Sequence, residues 1–160
     1  MATYMGVSSL NTARASAALT AAGAWDAAPT EFFISGADSL GVHLTYTQGA
    51  AGGAVDVQLQ LSPYSVAALV PAGANEWETQ TLYSAGVVVG GADTQSLMQA
   101  EYVTFDPVTA AAESVAFAPV ALNGLFERCR VQARESGVVG TPGTAAIVVT
   151  LNGLQPGGLL

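Results

Sequence analysis

Val42 to Leu61 reads VHLTYTQGAAGGAVDVQLQL. In its first part Val42, Leu44 and Tyr46 alternate with His43, Thr45 and Thr47. In its second part Val55, Val57, Leu59 and Leu61 alternate with Asp56, Gln58 and Gln60. Successive side chains of an extended backbone point to opposite faces, so each run is a strand with one apolar face. The glycine-rich run Gly49 to Gly53 between them is a turn, and pairing across it predicts a β-hairpin.

The same period-2 reading extends outward in both directions. It predicts strands at Glu31 to Ser35, Trp77 to Tyr83, Val87 to Val89, Ser96 to Phe105, Ser114 to Ala118, Phe126 to Ala133 and Ala145 to Leu151. After Ser62 and Pro63 a connection to Ala74, with one helical turn near Val66 to Leu69, suits a jump between two sheets. Many strands and no strong helix point to an all-β, antiparallel β-sandwich, jelly-roll-like or with a related Greek-key order. An immunoglobulin-like order is the alternative, although the Cys, Trp, Cys spacing of antibody-type domains is missing. Residues 1–29 lack a period and read as an extended N-terminal arm, with a short helix around Ala13 to Ala22 as the competing reading. Residues 30–153 then make the sandwich and 154–160 a C-terminal tail. The arm, poorly anchored by its own residues, is expected to be removable without loss of the fold.

At 160 residues the chain is one domain long, and alanine and glycine fill much of its apolar fraction. Thin side chains bury less surface per residue, so contact between subunits is a plausible source of further stability. A net charge of −8 argues against nucleic acid and against anionic membrane surfaces as partners. No uninterrupted apolar run reaches the roughly 18 to 20 residues of a spanning helix, and the N-terminus is no convincing secretory signal. The single cysteine, Cys129, excludes an internal disulfide and sits at a core-facing position, as an inert buried thiol.

There is no lysine, and three of the four arginines, Arg128, Arg130 and Arg134, alternate with Cys129, Val131 and Ala133. The guanidinium forks therefore share one face, where they suit carboxylates on a neighbouring strand or on another subunit. A solvated row paired with Glu101, Glu127 or Glu135 of the same molecule is the competing reading. Catalytic chemistry finds little support. His43 is the only histidine and lies mid-strand, no G-x-S-x-G elbow is present, and one histidine with one cysteine makes no zinc site. Asp38 and Asp93 follow glycine turns without the spaced acids of a calcium loop. The Gly49 to Gly53 run lacks the lysine and helix start of a phosphate loop. Glu76 and Glu78 flank Trp77 as a possible acid pair, and Trp25 and Trp77 with Tyr64, Tyr83 and Tyr102 offer a carbohydrate-binding platform, against the commoner core role for aromatics. No cofactor is expected.

Three phrases, Trp25 to Ile34 (WDAAPTEFFI), Val42 to Ser65 (VHLTYTQGAAGGAVDVQLQLSPYS) and Glu127 to Thr150 (ERCRVQARESGVVGTPGTAAIVVT), together resemble β-rich structural proteins of tailed-bacteriophage virions. The closest style is that of small capsid decoration, or cement, proteins. The resemblance implies a non-enzymatic jelly-roll-like domain on the capsid surface of the virion, clustering as a homotrimer and bridging subunits of the major capsid protein. With it goes an expected partner-binding set: Tyr4, Met5 and Leu10 from the arm, and Arg128, Arg130 and Arg134 from the arginine row. A carbohydrate-binding or tail-associated β-sandwich module is the alternative.

Overall fold

The structure is a computed structural model, and it describes residues 4–80, 82, 84–89, 97–98, 102–122 and 124–156. These form strands β1 (Tyr4–Ala18), β2 (Glu31–Phe33), β3 (Ser39–Thr47), β4 (Val55–Ser62), β5 (Glu78–Gln80) and β6 (Ser84–Val89). They continue with β7 (Leu97–Met98), β8 (Val103–Phe105), β9 (Glu113–Phe117), β10 (Val120–Ala121), β11 (Arg128–Glu135) and β12 (Thr144–Pro156). One antiparallel sheet, A, has the order β1-β12-β3-β9-β6, with β10 also on β3. The other, B, has the order β2-β11-β4-β8-β7, with β5 also on β4. The fold is an all-β sandwich. Its pairs nest as β1 with β12, β2 with β11, β3 with β9 and β4 with β8. That is one long hairpin ribbon rolled into two sheets, the connectivity of a jelly roll.

The core lies between the layers. Leu40, Val42, Leu44 and Tyr46 of β3, with Ala145, Ile147 and Val149 of β12, are buried in one cluster with Val55, Val57, Leu59 and Leu61 of β4 and with β11. Each fully buried leucine or valine contributes about 1.5–3 kcal/mol relative to exposure, before conformational entropy is charged against it. Cys129, Val131 and Ala133 supply the β11 side of the layer, so Cys129 is core-facing as its alternation implied.

The two strands that anchor the sequence reading do not form a hairpin. β3 bonds to β12 and β9, whereas β4 bonds to β11, β5 and β8, and the two lie in opposite sheets. Alternation reports which face of a strand is buried and not which strand is its neighbour. Two apolar rows facing each other across a core have the same sequence pattern as two rows side by side. The chain crosses between layers at the glycine-rich turn, where Gly52 has a positive φ of 79° that favours glycine.

Residues expected to be a detached arm are also placed differently. Tyr4–Ala18 is β1, paired along β12 from Tyr4↔Pro156 to Ala18↔Thr144. Alternation is blurred there because β1 is an edge strand and its register shifts twice, between Thr12 and Arg14 and between Arg14 and Ala17. Arg14 repairs the second irregularity: its guanidinium donates to the Ala17, Ala18 and Ala145 carbonyls and pairs with Asp26 at 3.0 Å. The helix considered at Ala13 to Ala22 is therefore absent. The expected tail is in part strand as well, since β12 runs on to Pro156. The helical turn near Val66 to Leu69 is present as a short 3-10 turn at Ala67–Leu69. Glu101, Asp93 and Tyr83 lie outside the described residues.

Candidate functional site

The arginine row runs along the outer face of sheet B, and its environment follows from register. β11 lies between β2 and β4, with Arg128 opposite Ser62, Arg130 opposite Gln60, Gln132 opposite Gln58 and Arg134 opposite Asp56. Arg128 is nearly enclosed. Its Nη1 reaches Glu31 at 2.7 Å, its Nη2 reaches Glu76 at 2.6 Å, and its Nε donates to the Tyr64 carbonyl at 2.7 Å. A guanidinium placed this way has its charge paired and its fork filled.

Arg134 donates to Asp56 at 2.8 Å, and Asp56 also accepts the Thr104 hydroxyl at 2.7 Å. Arg130 donates through Nε to Gln60 at 2.8 Å, and no carboxylate lies within ion-pair distance of it among the described residues. Burial lowers its pKa, while the charges of Glu31 and Glu76 act in the opposite sense.

Two loops close over this row. The loop after β1 brings Trp25, and the connection after β4 brings Trp77. The Arg130 guanidinium carbon lies 4.2 Å from the centre of a Trp77 ring, and that of Arg128 lies 5.0 Å away. Arg134 lies 4.4 Å from a Trp25 ring centre and 4.8 Å from that of Tyr102. Trp25 and Tyr102 meet edge to face at 5.9 Å. Cation–π contacts of this kind contribute about 0.5–2 kcal/mol each, more as they are desolvated. The anchoring extends through Asp26, which accepts the Ala133 amide at 3.1 Å and pairs with Arg14. The face is a second, polar layer of the molecule, in which arginines staple two loops to the sheet.

The arginine row is thus answered inside the molecule, as the competing reading had it, but by Glu31, Glu76 and Asp56. Of the partners expected for it, Glu127 accepts the Ser35 hydroxyl, and Glu135 is buried under Tyr46. Sequence reasoning missed Asp56 and Glu31 because cross-strand neighbours depend on strand order. The usable signal was the matching alternation of Asp56, Gln58 and Gln60 with the arginine row. Glu76 bonds to Arg128 and so is committed to structure, and the proposed platform aromatics Trp25, Trp77 and Tyr102 hold guanidinium groups.

The other expected contact residues lie elsewhere. Tyr4 and Met5 pair through their backbones with Pro156 and Gln155, and Leu10 lies opposite Thr150 at the outer edge of sheet A, 72% exposed. The structure therefore does not bring Tyr4, Met5 and Leu10 together with the arginine row. Pairing of β3 with β12 ends at Ser39↔Asn152, while β1 and β12 continue together through four further pairs. This two-stranded ribbon overhangs β3 by roughly 14 Å at about 3.4 Å per residue. Gly153 is needed where it leaves, since a Cβ there would come within 2.7 Å of the Gly36 carbonyl oxygen.

Two buried carboxylates sit at the opposite end of the sandwich. Glu135 accepts the Tyr46 hydroxyl at 3.1 Å and the Gly143 amide. Burial first, then the charge of Glu135, pushes the Tyr46 phenol well above its ordinary value. Glu113 accepts the Thr109 amide at 2.6 Å. No group of three histidine, cysteine or acidic side chains suited to a metal ion occurs among the described residues. His43 is exposed and bonds to the Thr150 hydroxyl at 3.3 Å. Burial drives the Cys129 thiol well above its ordinary value, so it stays protonated at neutral pH. Among the described residues no helix is long and apolar enough to cross a membrane. Comparison with family models, with curated proteins and with solved structures returns no match.

Proposed function

We propose that this chain is a non-enzymatic structural protein of a tailed-bacteriophage virion. It binds the outer surface of the capsid as an oligomer, for which the resemblance suggests three copies, and stabilises contacts between subunits of the major capsid protein. The observation that carries this reading is the β1–β12 ribbon, whose outer edge on β1 has no strand partner among the described residues and which overhangs β3. An unpaired edge is a template for backbone pairing with another chain, and a two-stranded ribbon standing alone is marginal in water until something covers it. The resemblance adds support, because its phrases fall on strands β2, β3, β4, β11 and β12.

In this reading affinity comes from contact area and from several linked copies rather than from a pocket. Co-sedimentation with capsids that lack the protein tests it. Pelleting at one fixed stoichiometry is expected, and a protein that stays in the supernatant at saturating capsid overturns the proposal. The half-exposed Trp25, Trp77 and Tyr102 on sheet B favour a second reading, a carbohydrate-binding or tail-associated module. Retention on immobilised glycans that is lost in Trp77→Ala would support it.

A further inference from the structure

The β1–β12 ribbon leaves the sandwich over an open cleft of about 130 Å³. Ser9 of β1 with Leu151, Asn152 and Gly153 of β12 make one wall, and Ser35, Gly36 and Ala37 of the turn between β2 and β3 make the other. The Asp38 amide ties this turn to the ribbon by donating to the Asn152 carbonyl at 2.7 Å. Each end of the turn carries an acid. The Asp38 carboxylate, next to Ala37, is exposed and has no partner among the described residues, and Glu127 accepts the Ser35 hydroxyl but stands in no ion pair there. The molecule has no cation to spare for them. It has no lysine; Arg128 and Arg134 pair with Glu31, Glu76 and Asp56, Arg14 pairs with Asp26, and Arg130 lies between Trp77 and Gln60 on sheet B. The net charge of −8 therefore falls on acids outside these pairs, and Tyr4–Thr12, the part of β1 nearest the cleft, has no charged residue of its own.

We infer that the partner segment that adds to the β1 edge is basic, and that one of its lysine or arginine side chains enters this cleft between Asp38 and Glu127. The inference rests on the reading of the ribbon edge as the contact surface, and it adds the chemistry of what that edge meets. Backbone pairing along an edge supplies affinity with little regard to sequence, so the choice of partner falls to side chains. Here it falls to charge. An ammonium or guanidinium group brings the donors that two acceptor-only carboxylates lack. An acidic segment is repelled by both carboxylates and by the net charge of the whole molecule. A second copy of this chain does not meet the requirement, because its own ribbon edge offers no cation. The cleft takes the head group of one side chain, and the neighbouring edge of β1 takes the backbone that carries it.

Titration of the intact chain with two strand-length peptides of about six to eight residues tests it, one alternating lysine with threonine and the other glutamate with threonine. Amide shifts read the site, and anisotropy of the labelled peptide reads the affinity. The expected result is tighter binding of the lysine peptide, shifts concentrated on residues 9–12, 35–38 and 151–153, and affinity that falls as salt rises from roughly 50 to roughly 300 mM. Asp38→Asn combined with Glu127→Gln weakens binding at least about fivefold. Asp106→Asn combined with Glu78→Gln removes two exposed acids from elsewhere on the molecule and weakens it less than about twofold. Circular dichroism and the urea midpoint establish that both double variants fold. A lysine peptide that binds no tighter than the glutamate one, shifts that miss the cleft, affinity indifferent to salt, or equal weakening by the two double variants overturns the inference. Co-sedimentation with capsids that lack the protein separates this inference from the capsid reading. If the wild type pellets and Asp38→Asn with Glu127→Gln pellets equally well, the inference fails and the capsid reading stands. If the wild type does not pellet, the capsid reading fails and the peptide titration alone decides the inference.

Discussion

Raising the pH above 9 should destabilise this protein through one buried thiol. Cys129 sits on β11 between Phe32 and Leu61, fully enclosed, and burial raises its pKa well above the ordinary 9.0. The folded state therefore keeps its proton where the unfolded chain has released it. Stability from this group is complete below pH 9 and is lost as pH rises, by about 1.4 kcal/mol per unit. Two units above the ordinary value, at pH 11, the loss is about 2.7 kcal/mol, a large share of the roughly 5–15 kcal/mol that holds a domain together. With a urea slope of about 2–3 kcal/mol per molar, the midpoint falls by about 1 M between neutral pH and pH 11. Tyr46 adds a loss of the same sign above its ordinary 10.0, again because burial comes first and the Glu135 charge second. The comparison that isolates the thiol is Cys129→Ala, whose lower midpoint at pH 7 should be followed by a shallower decline from pH 9 upward. Equal slopes for wild type and Cys129→Ala would refute the reasoning.

Four other outcomes are expected. Asp56→Asn removes the charge facing Arg134 and should cost about 2 kcal/mol in urea unfolding, less than a fully buried pair because Arg134 is partly exposed. Trp77→Ala should cost about 2 kcal/mol and speed amide exchange in the connection after β4, since the ring that covers Arg128 and Arg130 is gone. Gly143→Ala puts a Cβ within 2.6 Å of the Thr47 carbonyl oxygen and against the Tyr46 ring, which should lower the melting temperature through overpacking of about 1–3 kcal/mol. Deleting residues 1–18 removes β1, uncovers the edge of β12 and takes away buried Ala13. Aggregation on purification is the expected result, and a soluble, cooperatively folding truncate would show that β1 is dispensable.

Much of the architecture was legible because burial writes a period into a strand. Alternation located β3, β4, β9, β11 and most of β12, and it assigned Cys129 to the interior. It could not choose strand neighbours, which is why β3 and β4 read as a hairpin and Asp56 went unrecognised as the partner of Arg134. β1 was read as an arm because an edge strand with two register shifts, bonded through Arg14 to backbone carbonyls, leaves no periodic trace.

By itself the sequence determined the class of fold, the inward face of each strong strand, the shortage of cations and the isolation of its one histidine and one cysteine. These are local or compositional properties, set by side-chain period and by counting. Only the tertiary structure decided that the arginine row is bonded within the molecule, Arg128 and Arg134 to carboxylates and Arg130 to Gln60, and that two tryptophans close over it. Those depend on which strands lie side by side, and strand order is settled by long-range packing of nearly interchangeable apolar rows.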